Sequence, residues 1–187
     1  MLPASFTAPG LTEEDFLALC EKFPDAFLEY SADGTVTIMP PTDPESGARD
    51  AQVVVQLGNW AERHGGMVSG PDAGFQFPDG ARLSPDAAWF DAERWRAAQR
   101  KGTRFPVFAP DFVIEVRSPT DRPRVLEEKM QEYMSNGVRL GLLIDPMDRT
   151  VSVYRPGRQP EVLVNPARVE GEGPVAGFVL ELDRIFA

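Results

Sequence analysis

The period of the apolar positions changes several times along this chain, and each change marks an element. Phe16, Leu19, Cys20 and Phe23 recur at the spacing of one buried helix face. Thr12 precedes them with Asp15 three residues on, and Glu13, Glu14 and Asp15 form an acidic first turn. Residues 27–31 and 35–39 flank Ala32-Asp33-Gly34 and predict a hairpin closed by Pro40-Pro41. Residues 42–48 are polar and read as turn. A second helix runs from about Asp50 to His64, with Val53, Leu57, Trp60 and Ala61 on its apolar face. Short strands follow at 67–69, 75–77 and 87–90, separated by Gly and Pro turns.

Asp91 suits the N-cap of a short helix over 92–99, and residues 100–110 form a basic loop with two prolines. Residues 112–116 are the clearest strand. Asp121 is placed to cap a helix with Pro123 in its first turn, running to Asn136 and stopped by Gly137. Residues 140–144 and 150–154 read as an antiparallel pair about the turn Asp145-Pro146-Met147-Asp148. The tail reads as a strand plus a closing apolar segment. Helix, several strands, helix, strand is the order of one α/β layered domain over residues 1–187, with a mixed sheet.

Length and composition agree with that picture. With 187 residues, 42% apolar and 26% charged, the chain can bury a core without disulfides or structural metal. Its longest apolar runs are three or four residues, far short of the ~20 that span a membrane, and no secretory segment opens the sequence. One cysteine, Cys20, excludes an intrachain disulfide and fits a reducing cytoplasm. One histidine, His64, closes a predicted helix, where the ring serves as a cap. Neither a Cys/His zinc site nor a dinucleotide or phosphate-loop fingerprint is present.

The net charge of −10 disfavours general nucleic-acid binding. The charge is uneven, however. Residues 92–126 carry eight basic and four acidic side chains: the basic island is Arg94, Arg96, Arg100, Lys101, Arg104, Arg117, Arg122 and Arg124. It reads either as a solvated face or as a local track for a phosphate backbone.

In the strand 112–116, Phe112, Ile114 and Val116 alternate onto one face, which must be core, and Asp111, Val113, Glu115 and Arg117 onto the other. A carboxylate inside an apolar strand is costly unless paired or bound to a cation. Glu115 therefore reads as an ion pair with Arg117, as a residue on a solvated sheet edge, or as a metal ligand. Asp86 follows Pro85 at the entry to a strand, where it is a turn residue or a second carboxylate for a divalent cation. In the helix 123–136, Leu126, Met130, Tyr133 and Met134 share a face and Lys129 flanks it, while Glu128 and Glu132 point to solvent. Lys129 is one of only three lysines, and reads as a snorkelling surface residue or as a lysine kept at a site.

At these residues the chain resembles a known family. Pro85-Asp86, Glu115-Val116-Arg117 and Lys129 look like a variant of the PD-(D/E)XK nuclease pattern. "RLSPDAAWF", "PDFVIEVRSPTD", "EKMQEYMSNGV", "LLIDP" and the opening hairpin "FLEYSADGTVTIMPP" are similar to the bacterial Uma-type family of restriction endonucleases, over about residues 12–165. The resemblance implies a restriction endonuclease-like fold, a mixed central sheet flanked by helices. It implies a metal-dependent endonuclease acting on DNA, with Asp86 and Glu115 binding Mg²⁺ or Mn²⁺ beside the carbonyl of Val116. The usual pattern places lysine at position 117, where this chain has Arg117. Arginine cannot act as a base but can hold phosphate, and Lys129 is then the lysine moved to the following helix. Glu29 is a further acidic candidate. Cutting both strands of a duplex is easiest with two sites, which a homodimer supplies. The competing readings are a nuclease fold without cleavage, used to bind nucleic acid or protein, and a scaffold in which these residues are salt bridges.

Overall fold

The computed structural model describes residues 4–8, 10–39, 41–99 and 105–187. Pro40, Arg100, Lys101, Arg104 and the first half of the basic loop lie outside the described residues.

Four helices and thirteen strands follow one another among the described residues: β1 (Ala4–Thr7), α1 (Glu13–Lys22), β2 (Phe27–Tyr30), β3 (Thr35–Met39), α2 (Pro44–His64), β4 (Met67–Ser69), β5 (Phe75–Gln76), β6 (Arg82–Leu83), β7 (Ala87–Phe90), α3 (Ala92–Gln99), β8 (Phe112–Val116), α4 (Pro123–Ser135), β9 (Leu140–Asp145), β10 (Thr150–Tyr154), β11 (Glu161–Val164), β12 (Arg168–Glu170) and β13 (Val179–Glu181). The central sheet has the order β11-β10-β9-β8-β7-β4. Its β8–β9 pair is parallel and its other pairs antiparallel. A parallel pair needs a crossover, and α4 is that crossover. A second sheet, β1-β3-β2-β6-β5, carries the predicted hairpin, and β12 pairs with β13.

The central sheet is covered on both faces. Val53, Leu57 and Trp60 of α2 meet Phe112, Ile114 and Val116 of β8, together with Phe178, Leu180 and Leu182 of the tail. On the other face Val113 and Leu143 pack with Met130, Tyr133 and Met134 of α4 and with Phe75, Phe77 and Leu83 of the second sheet. The face of β8 that carries Glu115 is thus a second core, and the expected solvated sheet edge is absent there. α4 lies close over β9 because Gly141 has no side chain: a Cβ there would sit 2.5 Å from the Met130 methyl carbon.

Local chemistry explains most element ends. Thr12 and Asp15 form a capping box on α1. Asp91 Oδ1 accepts from the backbone N–H groups of Glu93 and Arg94. Gly137 takes φ 96° just past the end of α4. His64 stacks on Trp60 and bonds to its carbonyl oxygen, a helix-end role.

Three expectations are corrected. α2 begins at Pro44, not near Asp50, because Asp43 accepts from the N–H groups of Glu45 and Ser46 and Pro44 suits the first turn. Asp121 does not cap α4; its Oδ2 accepts from Ser118 N–H at 2.8 Å, and Arg122 is the N-cap residue. The tail holds three short strands rather than one, and the two-residue β6 is too brief for a periodicity signal.

Candidate active site

Sheet pairing brings three chain segments against one face of α4. Glu29 lies in β2, one residue before Tyr30, which pairs with Arg82 of β6. Two residues past Arg82, Ser84 donates its N–H to Glu29 Oε1 at 2.7 Å. Asp86 precedes β7, whose antiparallel register with β8 brings it beside the end of that strand. There the Val116 N–H donates to Asp86 Oδ2 at 2.7 Å.

Lys129 projects from α4 into this ring. Its Nζ lies 2.9 Å from Glu29 Oε1 and 3.0 Å from Glu115 Oε1, and donates to the Ser84 carbonyl at 3.0 Å. One turn later Tyr133 donates its hydroxyl to the same Glu115 oxygen at 2.8 Å. Glu115 is 2% exposed and Glu29 9%. Asp50, on the buried stripe of α2, completes the acidic surroundings.

Three carboxylates thus act on one ammonium, Asp50 lies near two of them, and the local field reflects the excess. Burial pushes the Glu115 carboxyl up to about 8; Lys129 opposes the shift, and Asp86 and Glu29 add to it. Asp86 is pushed up to about 7, by burial first and then by Asp50. Asp50 rises to about 7 through burial and its nearness to Glu115 and Asp121. Burial alone would lower the Lys129 ammonium, but Glu115, Glu29 and Asp86 outweigh it and hold it above its ordinary value. Burial and Glu115 raise the Tyr133 hydroxyl, which stays a neutral donor.

The donor set suits a hard divalent cation. The hydrogen bonds engage Oδ2 of Asp86 and Oε1 of Glu115, and each carboxylate has a second oxygen with lone pairs. Among the described residues no three Asp, Glu, His or Cys side chains form a ready metal cage. Mg²⁺ keeps several waters and takes one or two carboxylates, a number that Asp86 and Glu115 could supply.

Of the readings open for Glu115, the ion pair with Arg117 is not formed. Arg117 Nη1 instead donates to Asp145 Oδ2 at 2.6 Å, with Asp148 at 3.8 Å. Among the described residues its buried Nε–H has no hydrogen-bond partner. Glu132 likewise does not point to solvent, since its Oε1 accepts from Ala32 N–H at 2.7 Å and ties α4 to the β2–β3 hairpin. In the basic island, Arg94 is held by Asp111 and Arg124 by Glu128, and Arg96, Arg122 and Arg124 are exposed.

Asp50 and Tyr133 join this cluster without being among the candidates that the sequence singles out. The signal for Asp50 lay in the pattern: a carboxylate three residues before Val53 and seven before Leu57 shares their buried stripe. Tyr133 was read only as apolar, although it lies four residues after Lys129 and brings a hydroxyl that needs a partner when buried.

Comparisons with known proteins follow this geometry. The sequence model of the Uma2 family, described as "Putative restriction endonuclease", matches residues 13–183. A solved structure from Anabaena variabilis ATCC 29413, described as a putative nuclease belonging to DUF820, superposes with a TM-score of 0.77 at 24% identity, covering 92% of this chain and 96% of that chain. At that identity the likeness concerns the fold, and it is the mixed-sheet, nuclease-like fold expected from the motifs. No curated protein matches.

Proposed function

The chain belongs to the Uma2 family, and on that premise we propose that it is a divalent-metal-dependent endonuclease hydrolysing phosphodiester bonds in DNA. The observation that carries this reading is the Lys129 ammonium, 3.0 Å from Glu115 and 2.9 Å from Glu29, inside a buried ring of carboxylates with surplus negative charge. A merely structural salt bridge balances its charges. This cluster does not, so it has a use for a cation.

Asp86 and Glu115, with the carbonyl of Val116, would hold Mg²⁺ or Mn²⁺. When bound, the ion lowers the pKa of water and neutralises phosphate charge. Tyr133 and Lys129 fix the Glu115 carboxylate through Oε1, which leaves its other oxygen to face the ion. Lys129 stays protonated, so it serves as a donor that orients water or stabilises charge on the phosphate, rather than as a base. Arg117 is anchored by Asp145 through Nη1, and its Nε–H, without a partner among the described residues, would serve a phosphate oxygen.

The test is cleavage of plasmid and single-stranded DNA at low salt with Mg²⁺ or Mn²⁺, by the wild type and by Asp86→Asn and Glu115→Gln. Metal-dependent cleavage lost in both variants is the expected result. Failure of the wild type to cut with either metal would overturn the proposal. Arg117 at the usual lysine position favours a second reading, a nuclease fold that binds DNA without cutting it. That reading predicts salt-sensitive DNA retention that survives Asp86→Asn.

A further inference from the structure

Three phenylalanines stand in water to nearly the same degree: Phe6 at 47%, Phe23 at 49% and Phe27 at 46%. Single exposed apolar side chains are common, so exposure alone says little, and their places in the fold separate them. Phe23 closes α1, and Lys22 Nζ lies 5.7 Å from its ring centroid. Phe6 pairs with Val36, which also pairs with Tyr30, so Phe6 lies on the face of the second sheet opposite Glu29. Phe27 lies two residues before Glu29 in β2. It therefore shares the face of the carboxylate that meets Lys129.

That face climbs from the buried acids to the surface. Glu29 is buried and stands opposite Thr37 in the ladder. Two residues back, ~6.8 Å along the strand, Phe27 is exposed beside its cross-strand partner Met39, which is half-buried. An aromatic ring flanked by a thioether thus stands at the margin of the candidate active site, within the reach of a nucleotide whose phosphate is held there.

The charge of the chain says what such a ring would contribute. The net charge is −10, and in the basic island Arg94, Arg117 and Arg124 are already paired with Asp111, Asp145 and Glu128. Little cationic surface is left to neutralise phosphates, so the counterion release that drives most DNA binding is small here. Stacking of a base on an aromatic ring supplies affinity of another kind. We infer that Phe27 is the stacking platform for an unpaired base of the DNA strand next to the scissile phosphate. A base inside a duplex has both faces covered by its neighbours, so the ring selects a single strand or a base turned out of the stack. The inference rests on the nuclease reading and adds to it the form of the substrate.

The test uses the full chain as wild type, Phe27→Ala, Phe27→Trp and Phe6→Ala. Binding of a short single-stranded DNA and of the matching duplex is measured by fluorescence anisotropy with Ca²⁺ at low and moderate salt, and cleavage is measured with Mg²⁺ or Mn²⁺. Phe27→Ala is expected to weaken single-strand binding about 5-fold or more, the low end of what one stacked base contributes. The factor should be the same at both salt concentrations, because stacking releases no counterions, and duplex binding should not change. Phe27→Trp should restore the affinity, and Phe6→Ala, on the opposite face, should match the wild type. An abasic residue moved along the strand should reproduce the loss at one position in the wild type and add nothing there in Phe27→Ala. Equal single-strand binding by Phe27→Ala and wild type, an equal loss in Phe6→Ala, or a loss that no abasic position reproduces would overturn the inference and leave the nuclease reading standing. No cleavage of any strand by the wild type would overturn the nuclease reading, and the inference with it.

Discussion

The two ends of β8 each bury an acid, and they handle it in opposite ways. Asp111, just before the strand, is 1% exposed and faces two arginines: Arg94 Nη1 at 2.6 Å and Arg139 Nη1 at 3.4 Å. Its other oxygen accepts from Asp91 N–H. Both arginines are largely in water, so the acid is more than balanced and neither cation is stranded. Glu115, four residues on along the same face, shares its single ammonium with Glu29 in the presence of Asp86 and Asp50. The first arrangement stabilises a fold. The second leaves carboxylates in excess of cations, and it is the arrangement proposed to hold a divalent metal. Burial of a carboxylate is therefore not itself the functional signal; the balance of charge around it is.

That contrast can be broken or sharpened by experiment. The largest effect is expected from Glu115→Gln. Cleavage falls to background, while the metal-free melting temperature at pH 8 rises or holds, because a buried charge has been removed. A large loss of stability at pH 8 would mean that Glu115 is a structural ion-pair partner like Asp111.

Lys129→Met is next. Loss of one donor aimed at developing charge typically costs ~10²–10³ in rate, and this variant should fall in that range. It should also be less stable at pH 8 than at pH 5, since at pH 5 protonation of the acids replaces the lost ammonium. Equal destabilisation at both pH values would count against a surplus of negative charge.

At the opposite end, Asp111→Asn should cost ~1.5–3 kcal/mol in stability, the usual worth of hydrogen bonds to a charged group. Its cleavage rate at a permissive temperature should match the wild type. A rate loss of tenfold or more would place Asp111 in the site after all.

The smallest effect is a pH trend in the metal-free wild type. Glu115 is raised from 4.5 to about 8, and Asp50 and Asp86 from 3.8 to about 7. For acids raised in the folded state, the stabilisation is fully present below the unfolded values. It is lost as pH climbs through the folded ones. The melting temperature should thus decline between about pH 5 and pH 8. Added Mg²⁺ should raise it more at pH 8 than at pH 5, where protons compete for the same oxygens. Differential scanning calorimetry at fixed ionic strength reads both, and a flat profile would contradict the crowding of acids at this end of β8.

Much of this was legible beforehand. The capping box of Thr12 and Asp15, the hairpin about Ala32-Asp33-Gly34, the helix 92–99 on its Asp91 cap and the strand at 112–116 are all written within a turn or two of chain. Glu115 and Lys129 were conspicuous for a local reason: each breaks the pattern of the element that carries it. Less visible was Asp50, hidden because the start of α2 was read as turn. The Glu115–Arg117 pair, one of the readings that alternation along β8 left open, does not form because Arg117 lies one residue past the end of the strand, where its side chain meets Asp145 instead.

Sequence alone determined most of the elements, their order, the family and which charged residues sit at unusual positions, because periodicity, caps and turns depend on neighbours a few residues apart. Only the tertiary structure decided which charges meet. Lys129 reaches Glu29 across 100 positions and Ser84 across 45, and Asp86 meets the Val116 N–H across 30. Coulomb energies depend on those distances and on exclusion of water, and both come into being only when β2, β7, β8 and α4 pack together.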